Sequence, residues 1–143
     1  MGKIRAPFNL QGWIKENQHL LKPPVGNKNL YTESEDYIVM IVGGPNSRKD
    51  YHYNETEELF YQLKGSILVK TQQNGKKVEV KINEGEMFLL PPKIPHSPIR
   101  PAGSVGLVIE RKREPHHKDG LMWFSDKENA LLYEEYFHLT NIE

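Results

Sequence analysis

No cysteine occurs anywhere in the chain. This excludes a disulfide scaffold, a thiol nucleophile and any zinc or iron–sulfur site built on thiolates, so a bound metal has only His, Asp and Glu as ligands. Charge of one sign is equally lacking, since 19 Lys and Arg balance 19 Asp and Glu and the pI lies near 7.0. The broad basic footprint of a nucleic-acid binder is missing, and no nucleic-acid partner is expected. The basic residues Lys76, Lys77, Lys112 and Arg113 read as solvated surface. No stretch approaches the length of an apolar membrane span, and Lys3 and Arg5 are followed by no apolar signal core. The expected compartment is therefore the cytoplasm, with no membrane partner. Internal repeats and low-complexity segments are absent too.

What is present is 143 residues, 37% hydrophobic and 27% charged, with a mean hydropathy of −0.67. That is a polar but foldable chain with room for one hydrophobic core, and residues 1–143 read as a single domain. Phe8, Leu10, Trp13 and Ile14, spaced by polar residues, predict a short N-terminal helix around Asn9 to Asn17. Pro23 and Pro24 stop helical structure, and Gly26 permits an unusual backbone turn, so Lys22 to Asn27 reads as an irregular loop placed to cover something. Six short apolar runs follow: Tyr37 to Val42, Leu59 to Leu63, Ser66 to Thr71, Lys77 to Ile82, Met87 to Leu90 and Val105 to Ile109. Their lengths, and turns such as Gln73-Asn74-Gly75 and Asn83-Glu84-Gly85-Glu86, predict an all-β sandwich or barrel. The stretch Trp123 to Leu139 is ambiguous. Ser125 and Glu128 suit a capping box, while Leu132, Tyr133, Tyr136 and Phe137 suit a strand, and the expectation is a short helix or turn followed by a strand.

Two segments carry the chemistry. In an extended Gly43 to Gly65 segment, Arg48, Asp50 and His52 share one face, because strand side chains alternate with period two. In Gly85 to Arg100, His96 and Arg100 share a face, although Pro98 between them disturbs a regular strand. Two histidines and a carboxylate on a β scaffold can hold a divalent metal and leave positions open for substrate and dioxygen; His52, Glu58 and His96 are that set. Taken singly, each reads better as an ordinary surface or core polar residue, and only the joint pattern favours a metal site. His19, His116, His117 and His138 have no motif context and read as structural or exposed, and Tyr51, Tyr53, Phe60 and Tyr61 as packing groups.

The joint spacing resembles the two cupin motifs. Glu58, six residues and Gly65, preceded by His52, match the first motif with Asp50 in place of its first His; Gly85, Pro91, His96 and Arg100 match the second, with Lys93 where a Gly is usual. Five blocks resemble, in order, the 3-hydroxyanthranilate 3,4-dioxygenase family: Gly43 to His52, Glu57 to Gln62, Phe88 to Pro91, Pro95 to Arg100 and Gly106 to Arg111. The likeness runs from about Trp13 through Trp123.

The resemblance implies an all-β single cupin domain, a jelly-roll β-barrel with a short N-terminal helix. It implies one Fe(II) ion per chain on His52, Glu58 and His96, with substrate also met by Glu58, Arg100 and Glu110. Arg48 and Glu110 are the residues implied to serve dioxygen and catalysis. Asp50 stands behind them, with an ion pair to Arg48 a nearly equal alternative; independently of the resemblance, the loop with Pro23, Pro24, Gly26 and Asn27 is expected to close over substrate as a lid. Chemically, an Arg fork suits the substrate carboxylate, and Glu110 suits the phenolic proton. The implied product is 2-amino-3-carboxymuconate semialdehyde, which closes to quinolinate in tryptophan (kynurenine) degradation and NAD synthesis, and the implied assembly is a homodimer. A second, rubredoxin-like iron site of bacterial and fungal relatives needs two Cys-x-x-Cys pairs and has no ligands here. Competing readings are a non-catalytic cupin that binds a small acid and a metal-dependent cupin isomerase, the second of which does not predict the set of Arg48, Arg100 and Glu110.

Overall fold

The computed structural model describes residues 4–139, so both ends of the 1–143 domain range lie outside the described residues. Its helix α1 is Leu10–Glu16, started by Asn9, whose side chain accepts from the Gly12 amide at 2.8 Å. That bond satisfies one of the amides a helix start leaves without a partner. A 3₁₀ turn, Gln18–Leu21, follows. The strands are β1 Asn27–Asn29, β2 Tyr37–Gly43, β3 Tyr51–Asn54, β4 Glu58–Lys64, β5 Ile67–Gln73, β6 Lys76–Ile82, β7 Met87–Leu90, β8 His96–Ile99, β9 Val105–Arg111, β10 Asp119–Phe124 and β11 Leu131–Phe137.

They form two antiparallel sheets, one ordered β1-β2-β9-β4-β7 and the other β11-β10-β3-β8-β5-β6. All six predicted strands are present within a residue or two, and β1, β3, β8 and β10 are additions. Short strands bounded by polar residues carry little periodic signal, which is why these four escaped. The β5–β6 hairpin turns through Asn74 and Gly75, with φ of 53° and 75°, the positive-φ pair its sequence predicted.

Alternation decides which side chains face the space between the sheets. On β4 it turns Glu58, Phe60 and Gln62 inward; on β5, Ile67, Val69 and Thr71; on β9, Gly106, Val108 and Glu110. Phe60, Ile67, Val69, Ile82, Leu90 and Val108 close one end of the sandwich as a core, each burial contributing roughly 1.5–3 kcal/mol. A second cluster of Ile14, Leu21, Leu30, Ile41 and Val105 packs α1 and the 3₁₀ turn on the outer face of the first sheet. The inward polar residues are therefore gathered beside the first core.

Between Trp123 and Leu139 the chain makes a turn and then strand β11, without a helix. Ser125 caps no helix: its amide donates to the Ala130 carbonyl, and its Oγ accepts from the Ala130 amide at 2.9 Å. Cross-strand pairing with β10 outweighs the local capping preference, as tertiary context commonly does. Among the described residues no helix is long and apolar enough to cross a membrane.

Candidate functional site

His52 is the second residue of β3, and its backbone partner on β8 is His96. The two rings face the same space with centroids 5.3 Å apart. This is the one register pair between these strands; beyond it β8 continues through Pro98 against β5. From the opposite sheet, Glu58 on β4 and Glu110 on β9 are direct cross-strand partners, so their carboxylates are neighbours. Side chains of both sheets thus meet in a cavity of about 450 Å³, lined also by Asn27, Arg48, Arg100, Arg113 and Asp119 and by apolar Met40, Val42, Phe60, Val108 and Leu121.

His96 is 2% exposed and donates from Nδ1 to the Ile94 carbonyl at 3.0 Å. That bond leaves Nε2 with the lone pair, 3.5 Å from Glu58 Oε2. Burial by itself lowers the His96 pKa, but Glu58 beside it turns the net shift upward. For Glu58 burial acts upward, and the bonds and charges of His96, Glu110 and His52 outweigh it, holding this carboxylate well below the usual range. Glu110 goes the other way: burial and then Glu58 opposite push it up to about 8, against the pull of Arg113. His52 donates from Nε2 to Asp119 at 2.6 Å. Burial would raise Asp119, yet His52 and Arg113 hold it down at about 2.

Arg100 differs from the other two arginines of the cavity. Arg48 is ion-paired with Asp50, and Arg113 with Glu110 and Asp119, whereas Arg100, 4% exposed, has no ion-pair partner among the described residues. Burial lowers its pKa to about 10, with Glu58 pulling it back up. The guanidinium fits because β9 carries Gly106 there; a Cβ at this position would lie 2.9 Å from Arg100 Nη1 and 2.8 Å from Gln62 Oε1.

Several expectations need correction. Arg48 and Asp50 do not share a strand face with His52, because β3 begins only at Tyr51. They form a forked ion pair with each other on an irregular segment, with Nε to Oδ1 at 2.8 Å, while Arg48 also borders the cavity. Arg113 is not solvated surface: its side chain is 4% exposed, and Lys112 is tied to the Ser34 carbonyl. Of the expected lid, Asn27 reaches the cavity from β1, where it pairs with Val42, while Pro23 and Pro24 lie on an exposed turn. Lys93, standing where the motif has Gly, adopts a left-handed φ of 65°. His19, His116 and His138 are exposed and His117 is half-buried, outside the cavity. Asp119 and Arg113 were missed. An isolated Asp before Gly120 and an Arg in a basic run give no local signal of burial.

The donor chemistry suits a divalent metal. Two imidazoles and the carboxylate of Glu58 open on one cavity, and His96 already has the ring orientation set by its outer hydrogen bond that metal-binding histidines need. Among the described residues no three such donors are yet drawn around one point; they stand as two pairs, His52 with Asp119 and His96 with Glu58.

Comparison with known proteins gives a consistent result. The family model of 3-hydroxyanthranilic acid dioxygenase matches residues 3–143. A 3-hydroxyanthranilate 3,4-dioxygenase of Xanthomonas campestris is 55% identical over 137 residues, covering 96% of this chain and 77% of the relative. One from Neurospora crassa is 45% identical over 139 residues, covering 97% and 76%. Among solved structures, protein NMB1881 of Neisseria meningitidis superposes with a TM-score of 0.56 at 17% identity, over 76% of this chain and all (100%) of that one. A cupin-2 domain containing protein from Shewanella frigidimarina gives 0.54 at 17% identity, over 70% and 92%. These two likenesses concern the fold, which is that of the cupins.

Proposed function

This chain belongs to the 3-hydroxyanthranilic acid dioxygenase family, and we propose that its cavity opens the ring of 3-hydroxyanthranilate at one Fe(II) ion held by His52, Glu58 and His96. The ring-opening dioxygenase activity goes with the family. The observation that carries the reading of the cavity is Arg100, a buried guanidinium without an ion-pair partner among the described residues, beside two histidines and a carboxylate. Such a cation is a receptor for a carboxylate, and the substrate is an aromatic carboxylic acid.

Each residue then has a task that its surroundings support. Arg100 takes the substrate carboxylate in a charge-assisted fork, which orients the ring in the cavity. Glu110, in its ionised form, accepts the phenolic proton; burial and Glu58 raise its pKa, which makes that carboxylate a stronger base than an exposed one. Arg48, half exposed at the cavity edge, stabilises negative charge that develops as dioxygen is reduced, with Asp50 holding it in place. The apolar lining from Val42, Phe60, Val108 and Leu121 keeps water from the reacting groups. Iron, when bound, supplies the electronic link between the deprotonated substrate and dioxygen.

The product on this reading is 2-amino-3-carboxymuconate semialdehyde, which closes without an enzyme to quinolinate and so feeds NAD synthesis from tryptophan. We assign the protein to the cytoplasm and to a homodimer. Support for the dimer is the edge strand β11, which leaves Leu131, Leu132, Tyr133 and Tyr136 about half exposed or more. The deciding experiment is aerobic incubation of iron-loaded protein with 3-hydroxyanthranilate. Oxygen uptake and the new absorption of the semialdehyde are expected. Folded, iron-loaded protein that shows neither, yet binds the substrate under nitrogen, would be a small-acid binder instead.

A further inference from the structure

Arg113 has no task in the scheme above, yet it is one of the most tightly held groups in the cavity. It lies beyond the end of β9 with its side chain 4% exposed. Its Nε and Nη2 donate to the two oxygens of Asp119 at 2.9 and 2.7 Å, and its Nη1 donates to Glu110 Oε1. Asp119 accepts in addition from His52. One guanidinium therefore joins a carboxylate of each sheet, Glu110 from β9 and Asp119 from β10. A planar fork with donors in fixed directions can hold two carboxylates in a set relation, which the single ammonium of Lys cannot.

Glu110 needs such a hold. Its direct cross-strand partner is Glu58, and in the state where both are ionised the two carboxylates repel each other. A proton acceptor works only when it lies within hydrogen-bond reach of the proton, and a displacement of about 1 Å costs on the order of a hundredfold in rate. We propose that Arg113, anchored by Asp119, is a positioning residue of the ring-opening reaction that fixes the Glu110 carboxylate where the substrate hydroxyl meets it. This rests on the reading of Glu110 as acceptor of the phenolic proton. The device is assembled entirely from residues outside the recognised motifs apart from Glu110 itself.

The test is Arg113→Lys in the iron-loaded protein, with three readouts: iron per chain, affinity for 3-hydroxyanthranilate under nitrogen, and kcat per folded, iron-loaded chain. Iron content and affinity should stay within about threefold of the parent, because Arg100 still takes the substrate carboxylate, while kcat falls by at least about tenfold. A kcat within about twofold of the parent overturns the proposal, and so does a loss of affinity that matches the loss of kcat. Should the lysine variant not fold, Arg113→Gln, which leaves the Asp119–His52 bond in place, reads the same device, with the same fall in kcat expected. Failure of both variants to fold assigns Arg113 to stability and overturns the positioning role. An inactive parent would sink the functional reading and this proposal with it, whereas an active parent with an equally active lysine variant sinks this proposal alone.

Discussion

His52 and His96 are the single register pair between β3 and β8, and their rings stand 5.3 Å apart across that pair. Because both backbones are fixed by their sheet, the separation is set by strand pairing and not by flexible loops. A site carried on paired strands is held more tightly than one on loops. Glu58 approaches the same space from the other sheet, with Oε2 3.5 Å from His96 Nε2.

The metal ligands should fail together. His52→Ala, Glu58→Ala and His96→Ala should each lose iron, read as metal per chain after exhaustive dialysis. Full occupancy in Glu58→Ala would move the carboxylate ligand elsewhere, and the neighbours to examine are then Glu110 and Asp119, which line the cavity, and not the exposed Glu57.

Substrate binding and proton handling should separate. Arg100→Ala should keep iron and bind 3-hydroxyanthranilate poorly under nitrogen, since each charge-assisted hydrogen bond lost is worth about 1.5–3 kcal/mol, roughly 10- to 100-fold in affinity. Glu110→Gln should keep both iron and most of the affinity, with its penalty in kcat. Equal losses of affinity in the two variants would contradict this division.

Gly106 should tolerate no side chain. The Cβ of Gly106→Ala would meet Arg100 Nη1 at 2.9 Å and Gln62 Oε1 at 2.8 Å, so the guanidinium must shift away from its place in the cavity. Affinity under nitrogen should fall by about tenfold with iron retained, because a displaced fork loses about one charge-assisted hydrogen bond. Calorimetric titration of the variant with 3-hydroxyanthranilate measures this, and unchanged affinity would free Gly106 of the role.

Lys93 should be replaceable with profit. It is exposed, its φ is 65°, and its amide donates to the Asn54 carbonyl at 2.8 Å, so the strained backbone is held by the fold. Lys93→Gly removes a left-handed penalty of about 1–2 kcal/mol and loses part of that gain to the freer unfolded chain. Thermal unfolding should shift upward by roughly 3 °C; a downward shift would mean that the lysine side chain stabilises the fold.

The proposed lid is open to a measurement that needs no turnover. The exposed Lys22 to Gly26 turn is tied by the Val25 amide to the Lys22 carbonyl at 3.0 Å and leads directly into Asn27 at the cavity. Hydrogen exchange at Val25 and Gly26 should slow when substrate is added without oxygen. Exchange that stays unchanged at saturating substrate would leave this turn as a simple connection.

Much of this protein is legible along the chain. Period-two alternation marks the long strands, Asn74-Gly75 marks a hairpin, and the spacing of His52, Glu58 and His96 picks out side chains that do face one cavity. Those signals are local, because a strand's pleat and a turn's φ are set by neighbouring residues. The absence of cysteine, a property of composition alone, narrows the possible metal ligands to His, Asp and Glu.

Only the tertiary structure decided how the polar residues are shared out. Arg48 shares no strand face with His52, because β3 begins only at Tyr51, and of the two readings open along the chain the fold takes its ion pair with Asp50. Arg113 looked like solvated surface. It is buried because β10 pairs with β3 and brings Asp119 under His52, a meeting of residues 67 positions apart. Burial of a charge is determined by the partners that arrive beside it, and those partners come from distant strands whose pairing leaves no mark on the residues between them.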